Sequence, residues 1–480
     1  MEFLGRLLGQ ATPERIDSDD VYPLHMLDDT KTLRGITLTW ILRFDDVLDA
    51  DKLHDALVRL LDMGDWRKLG GRLRLNGQGA LEVHVPRPFT PDRPAVTYTH
   101  VELDVDMEDH ELAKKLPEAT DTLSIQPSPD DFHVFAAHPH APKTMNDFIY
   151  HDTPVLSLHI TSFRNATLIG LSWPHVLMDV MGQRALLQAW SLVVSGHDAD
   201  VPPALGARED ALRAAVNAAG PEEDYEMGKQ RLKGAGFVSF AVRYAWALMR
   251  GPAPEGHTIY MPAKTLAALR REAEADLKEL EGGLPFLTDN NILTAWAARI
   301  VASSQPHPRP VTVLTVINTR FRLPALFKAP GVFVQNMAVA GFTPLPPDEA
   351  RGPLGRIALS NRQHISAQAT EGQVRAVIRE TQNDPEGADR QVLCGPSDGV
   401  LMPLTNWERA QVLESADFGA AVVKSGRSTK TGFMTCHYPA SITALRPQNL
   451  WAVLGRDQEG GYWLVAYLTP AAWGLVEKTS

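Results

Sequence analysis

A histidine with an aspartate four residues further on can supply a general base and its electrostatic partner. The chain contains that pattern three times, at His25/Asp29, His100/Asp104 and His175/Asp179. Only the surroundings separate them. His100 lies in VTYTHVELDVD, whose alternation predicts a strand, where four residues span roughly 13 Å, too far for one reacting centre. His25 follows Pro23 in a short polar turn. His175 instead comes directly after the apolar run Leu168 to Trp173, which Pro174 ends. Beyond it, Leu186, Leu187, Trp190, Val193 and Val194 recur at helical spacing up to Gly196, which is placed to cap a helix. A buried strand before and a packed helix after are the rigid support that a proton-transferring group requires. If residues 175–179 are helical, the i, i+4 spacing sets Asp179 beside the ring as an orienting partner. If Pro174 starts a turn, the carboxylate points elsewhere.

Other reactive patterns are weaker. Gly170 to Pro174 (GLSWP) imitates a nucleophile elbow but lacks its second glycine. His133, His138 and His140 surround Pro139, which favours an extended loop, and no carboxylate or cysteine completes a ligand set, so no metal is expected. The two cysteines, Cys394 and Cys436, make neither a disulfide framework nor a metal motif and fit a reducing compartment.

The whole chain bounds the reading. At 480 residues it is too long for one ordinary core, and two domains are expected. A content of 44% hydrophobic and 22% charged residues describes a globular protein. The net charge of −11 argues against a nucleic-acid partner, because phosphate backbones demand a broad basic surface. A small anionic ligand would need only a local basic group or a helix N-terminus. No signal-like N-terminus and no run approaching about 20 apolar residues is present, so the expectation is a cytoplasmic protein with no membrane partner. Asn165-Ala166-Thr167 reads more simply as a hairpin turn than as a glycosylation site.

The elements that would hold the site follow from periodicity. GITLTWILRF predicts a strand, and Asp49 to Leu61 a helix with Leu53, Leu57, Leu60 and Leu61 on one face. A hairpin turning at Asn76-Gly77 follows. Val101 to Asp147 is mixed and proline-rich, which predicts long surface connections. Val155 to Phe163 and Thr167 to Trp173 predict two strands, the second delivering His175. Proline, glycine and acid between Gly196 and His257 predict a linker. After it come a strand and helix from His257, a helix capped near Thr288 or Asp289, the strand VTVLTVINTR, a strand beginning at Asp417, and a hairpin tipped by Glu459-Gly460-Gly461. Strands alternating with helices in both halves predict an α/β layered protein. The expected division is 1–200, a crossover linker 201–256, and 257–480.

In combination these segments resemble the BAHD acyltransferases, CoA-dependent enzymes that acylate alcohols and amines. The resemblance runs through the block from Phe44 to Gly71-Arg72-Leu73, His175-x-x-x-Asp179, Asn318-Thr319-Arg320, the loop Gly331 to Asn336, Thr405-Asn406-Trp407 and Asp417-Phe418-Gly419. Ala420-Ala421 after D-F-G, and Val-Met-Gly after Asp179, look like the fungal branch of that family. The resemblance implies two chloramphenicol-acetyltransferase-like domains, each a mixed sheet flanked by helices, with the active site in a tunnel between them. It implies His175 as general base, Asp179 paired with Arg320 away from the ring, Asp417 as structural support, Thr405 facing the oxyanion and Trp407 on the tunnel wall. It also implies acyl-CoA, first of all acetyl-CoA, as co-substrate, no bound cofactor, a small alcohol or amine acceptor from specialised metabolism, and a monomer. The local basic group Lys424, Arg427 and Lys430 is the expected rest for the nucleotide of CoA. Two rival readings share the histidine. One is a carrier-dependent condensation domain, whose doubled histidine and D-G are here replaced by Pro174 and Val180; the other is a non-acylating relative that binds or cyclises a natural product.

Overall fold

The computed structural model describes residues 13–278, 285–382, 392–427, 430–443 and 447–479. The strands that build its two larger sheets are β1 (Ile36–Phe44), β2 (Thr97–Glu102), β3 (Ser124–Gln126), β4 (Ser157–Ser162), β5 (Thr167–Pro174), β6 (Glu255–Met261), β7 (Val311–Asn318), β8 (Ala338–Leu345), β9 (Val400–Asn406), β10 (Cys436–Thr443), β11 (Leu450–Arg456) and β12 (Tyr462–Leu468). The helices that matter here are α1 (Ala50–Leu60), α2 (Val180–Val194), α3 (Gly234–Arg250), α4 (Ala263–Asp276), α5 (Asp289–Ser303), α6 (Leu354–Gln368) and α7 (Glu371–Gln382).

Five strands run in the order β10-β1-β5-β4-β2 and seven in the order β8-β7-β9-β11-β12-β6-β3. Both sheets are mixed: β2 lies parallel to β4, and β9 lies parallel to β7 and β11. Period-two alternation sets their faces. In β1, Trp40, Leu42 and Phe44 pack with Leu53, Leu57 and Leu60 of α1 and Leu186, Trp190 and Val193 of α2, while Ile41 faces the opposite way. In β12, Tyr462, Leu464, Ala466 and Leu468 pack with α4, α5 and α6, while Trp463, Val465 and Tyr467 face the five-stranded sheet. A third apolar cluster joins those inner faces, with Tyr438, Leu168, Phe135 and Leu454 in it. The architecture is therefore helices, sheet, inter-sheet core, sheet, helices, a two-domain α/β fold of the chloramphenicol-acetyltransferase-like kind. Trp173 and Trp190 are completely buried; each contributes about 1.5–3 kcal/mol by that burial.

Local signals mostly produced the elements they predict. Asp49 caps α1 through Lys52 N, and Thr288 caps α5 in a capping box with Asn291. The Arg164-Asn165-Ala166 turn joins β4 to β5. Three expectations need correction. The linker segment contains the 17-residue helix α3. The strand expected from Asp417 begins at Val422, after a 3-10 turn over Gly419–Ala421. The proline-rich stretch also supplies β3, which pairs with β6 in the distant sheet, just as β10 leaves the C-terminal half to pair with β1. Pairing partners are long-range, so no local period could reveal those exchanges.

Candidate active site

The site begins where β5 runs out. Pro174 has no N–H to continue the ladder, and His175 N donates to Ile36 O at 2.9 Å, the last tie to β1. A tight turn follows, with Leu177 N donating to Pro174 O and Trp173 Nε1 to Met178 O at 3.3 Å. The helix starts only at Val180, with Asp179 as its N-cap at φ −92° and ψ −175°. Residues 175–179 are thus not one helical turn, and the carboxylate does not bond the His175 ring.

Asp179 has other work. Its Oδ1 accepts from Met181 N at 3.1 Å and Gly182 N at 3.0 Å, satisfying the first free donors of α2. Arg320 donates Nη1 to Oδ2 at 2.8 Å and Nη2 to Oδ1 at 3.0 Å, a bidentate pair with side chains only 8% and 13% exposed. The same guanidinium donates to Phe333 O and to Gln335 O, and Met337 N donates to Asp179 Oδ2 at 3.1 Å. One ion pair thereby fastens the 333–337 loop of the second sheet's half to the turn that carries His175. The spacing Asp179-x-x-Gly182 has a steric reason, since a Cβ at 182 would sit 2.0 Å from Val334 O.

The opposite side of His175 is held by residues that its own motif does not contain. Asn336 Nδ2 donates to His175 O at 2.9 Å and to Asp28 Oδ1 at 2.9 Å, and Asn336 N donates to the same oxygen at 2.8 Å. His25 N donates to the other oxygen of Asp28. Asp28 is fully buried, and buried Lys68 supplies its countercharge. Sequence reasoning placed Asn336 in a motif loop but missed Asp28 and Lys68. Neither carries a local signal in the sequence, since it takes the fold to bury Lys68 beside Asp28.

The imidazole itself is half-buried. Its Nδ1 is sealed from solvent without a partner among the described residues, which leaves Nε2 on the accessible edge. Burial pushes its pKa below the ordinary histidine value, opposed by its own backbone carbonyl and by the charge of Asp179. A neutral, reachable ring nitrogen can take a proton.

Thr405 and Trp407 lie at the end of β9, on the other sheet. Trp407 Nε1 donates to Thr405 Oγ1 at 2.9 Å, which occupies an acceptor site and leaves the hydroxyl proton with no acceptor among the described residues. Trp407 stacks on Trp40 at 4.9 Å, and Trp40 contacts Trp173 at 5.7 Å, two residues before His175. That aromatic stack ties the two sheets together beside the site. A recess of about 220 Å³ opens one strand further out, lined by Thr39, Asp130, His133, Ala440 to Thr443, Pro447 and Tyr467. Thr39 pairs with Ser172 of β5 and with Ala440, so the recess is level with the end of β5 that delivers His175.

Two groups of expected residues sit elsewhere. Asp417 is exposed; it braces α2 through its backbone N–H, which donates to Ser191 Oγ at 2.9 Å, while Phe418 packs between Phe44 and Trp190. Lys424 ends the short strand Val422–Lys424, and Arg427 and Lys430 lie in the loop after it, which hangs on Asp46, whose carboxylate accepts from Gly426 N and Gly432 N. Lys424 Nζ donates to Arg164 O, Arg427 pairs with Glu108 at 2.8 Å, and the Lys430 ammonium lies 3.2 Å over the Phe433 ring. This loop stands at the start of β5, seven strand steps or roughly 23 Å from its end. These cations are thus remote from the turn that carries His175, and Glu108 and the Arg164 carbonyl engage two of them.

No family model matches the sequence. Along nearly the whole chain it is similar to fungal proteins: 35% identical over 482 residues to O-acetyltransferase PaAT-2 of Phomopsis amygdali, covering 96% of this chain and 97% of that one. It is 32% identical over 476 residues to acetyltransferase pyiB of Pyricularia grisea, covering 96% and 94%. Its fold matches Fusarium sporotrichioides TRI101 complexed with coenzyme A and T-2 (TM-score 0.65, 14% identity, 95% and 96% covered). It also matches vinorine synthase (TM-score 0.57, 14% identity, 97% and 93% covered).

Proposed function

Because the chain belongs to the fungal acetyltransferase family, we propose that it moves an acyl group, in the first place acetyl, from acyl-CoA to a hydroxyl of a small specialised metabolite, with His175 as general base. The observation that carries this reading is the state of His175: reachable, neutral, and clamped through its main chain while its aspartate neighbour is turned away into an ion pair. We place the chain in the BAHD-type branch of acyltransferases and divide it at 1–200, 201–256 and 257–480, with β3 and β10 exchanged between the halves.

The chemistry asks little more of the protein. His175 Nε2 takes the acceptor's hydroxyl proton as its oxygen attacks the thioester carbonyl. The carbonyl oxygen becomes an oxyanion, and Thr405, whose hydroxyl has a proton to spare, is our donor to it. Collapse breaks the carbon–sulfur bond, and the imidazolium returns the proton to the departing thiolate. A thioester is already activated, so no covalent nucleophile is needed. Cys394 and Cys436 are buried free thiols, which fits a reducing, cytosolic setting, and we take the working form to be a monomer.

Purified protein mixed with acetyl-CoA and a panel of alcohols and amines is expected to release free thiol in step with ester formation seen by mass spectrometry. Transfer from an acyl carrier protein, with none from acetyl-CoA, would move the reading to a condensation-type reaction.

The depressed pKa of His175 sets the pH dependence. A base works only while unprotonated, and lowering its pKa carries the acid limb to lower pH. With an unperturbed value of about 6.5, kcat/KM is expected to stay flat down through that pH and fall only below it. A limb centred at or above neutrality would contradict a buried, neutral base.

A further inference from the structure

Helix α3 buries a single side chain, Phe240. Tyr244 stacks on Phe240 at 5.9 Å, and burial pushes its phenol pKa up, so this i, i+4 pair marks the side that lies on the protein. The other side is apolar and bare. Val238, Val242, Trp246 and Met249 are 59%, 62%, 56% and 72% exposed. At i, i+4, i+8 and i+11 they form one stripe about 80° wide. Such a stripe is unusual on a surface unless something covers it.

Charge says what the cover is. Exposed Arg243 and Arg250 border the Trp246 edge of the stripe, and the Arg250 guanidinium lies 4.9 Å over the Trp246 ring. Residues 227–254 include Lys229, Arg231, Lys233, Arg243 and Arg250 and no acid, in a chain whose net charge is −11. We propose that α3 is an interfacial helix that lays its Val238–Met249 stripe on a membrane surface rich in anionic lipid, with Arg243 and Arg250 at the headgroups. A second copy of the chain fits less well. Two-fold pairing of the stripes would bring these arginines toward their own copies, and the helix has no acid to meet them. Crossing the membrane is not implied: 17 residues with two arginines fall short of the roughly 20 apolar ones a span needs. The expectation of no membrane partner rested on the lack of such a run, and an interfacial helix needs only amphipathicity. This inference is independent of the acyl-transfer reading, since α3 supplies none of the residues placed at the site.

Sedimentation with vesicles of phosphatidylcholine, with and without phosphatidylserine, tests it on the full chain. Wild type is expected to sediment with the phosphatidylserine vesicles, to bind phosphatidylcholine alone weakly, and to be released as salt rises. Trp246→Glu should abolish binding to both, and Arg243→Glu with Arg250→Glu should cut binding to anionic vesicles by at least fivefold per arginine. Thermal melts and acetyl transfer to a soluble acceptor should match wild type; if Trp246→Glu melts early, Met249→Glu replaces it. No vesicle binding by wild type, or undiminished binding by these glutamate variants, would overturn the proposal. So would a concentration-dependent dimer, abolished by Trp246→Glu, in a protein that ignores vesicles, because a second copy would then be the cover.

Discussion

His175→Ala is expected to lower turnover by about two to four orders of magnitude while leaving the protein folded. The two halves of that expectation have different sources. Activity falls because the accessible ring nitrogen is the only neutral base placed on the turn after β5. The fold survives because Nδ1 has no partner among the described residues, and what locks the turn is bonded to main chain: His175 N to Ile36 O and Asn336 Nδ2 to His175 O. Alanine keeps both. The measurement is kcat at saturating acetyl-CoA beside a thermal melt. A folded variant with near-normal turnover would remove His175 from the chemistry.

Breaking the Asp179–Arg320 pair should cost stability and activity together. Either alanine variant leaves a nearly buried charge without its partner, which costs about 3–5 kcal/mol. Asp179→Ala also removes the N-cap of α2 and the acceptor for Met337 N, worth about 0.5–2 kcal/mol for the cap alone. Denaturant titration of Asp179→Ala, Arg320→Ala and the double variant is the check. The double variant should lose clearly less than the sum of the singles, since after the first change the second removes an orphan. Additive losses, or single variants as stable as wild type, would mean that the pair does not hold the site.

How much of this was legible in the chain depends on the range of the signal. His175 stood out because a strand, a proline and an amphipathic helix are local patterns, and the α1, α5 and β5 elements formed where period and caps place them. The direction of Asp179 was not legible from spacing, because four residues after a proline can be a helical turn or a loop. The motif resemblance favoured the loop, and the cap geometry and Arg320 contacts follow it. Asp28 and Lys68 escaped notice since each is unremarkable until folding buries both around Asn336. The surroundings of the basic loop were hidden in the same way. Lys424, Arg427 and Lys430 cluster in sequence, but Glu108, the Arg164 carbonyl and the Phe433 ring, which engage them, come mostly from distant segments. Helix α3 was hidden by its flanks, whose proline, glycine and acid outweighed a run rich in alanine and aromatics.

Under a histidine base the acyl group is expected to pass directly from CoA to the acceptor, without resting on the protein. Rapid mixing of the protein, at high concentration, with acetyl-CoA while free thiol is followed tests it most directly. No thiol burst is expected until an acceptor alcohol is added, and thereafter one thiol for each ester formed. A burst equal to the protein concentration before any acceptor is present, with an acetyl adduct on the chain by mass spectrometry, would contradict it.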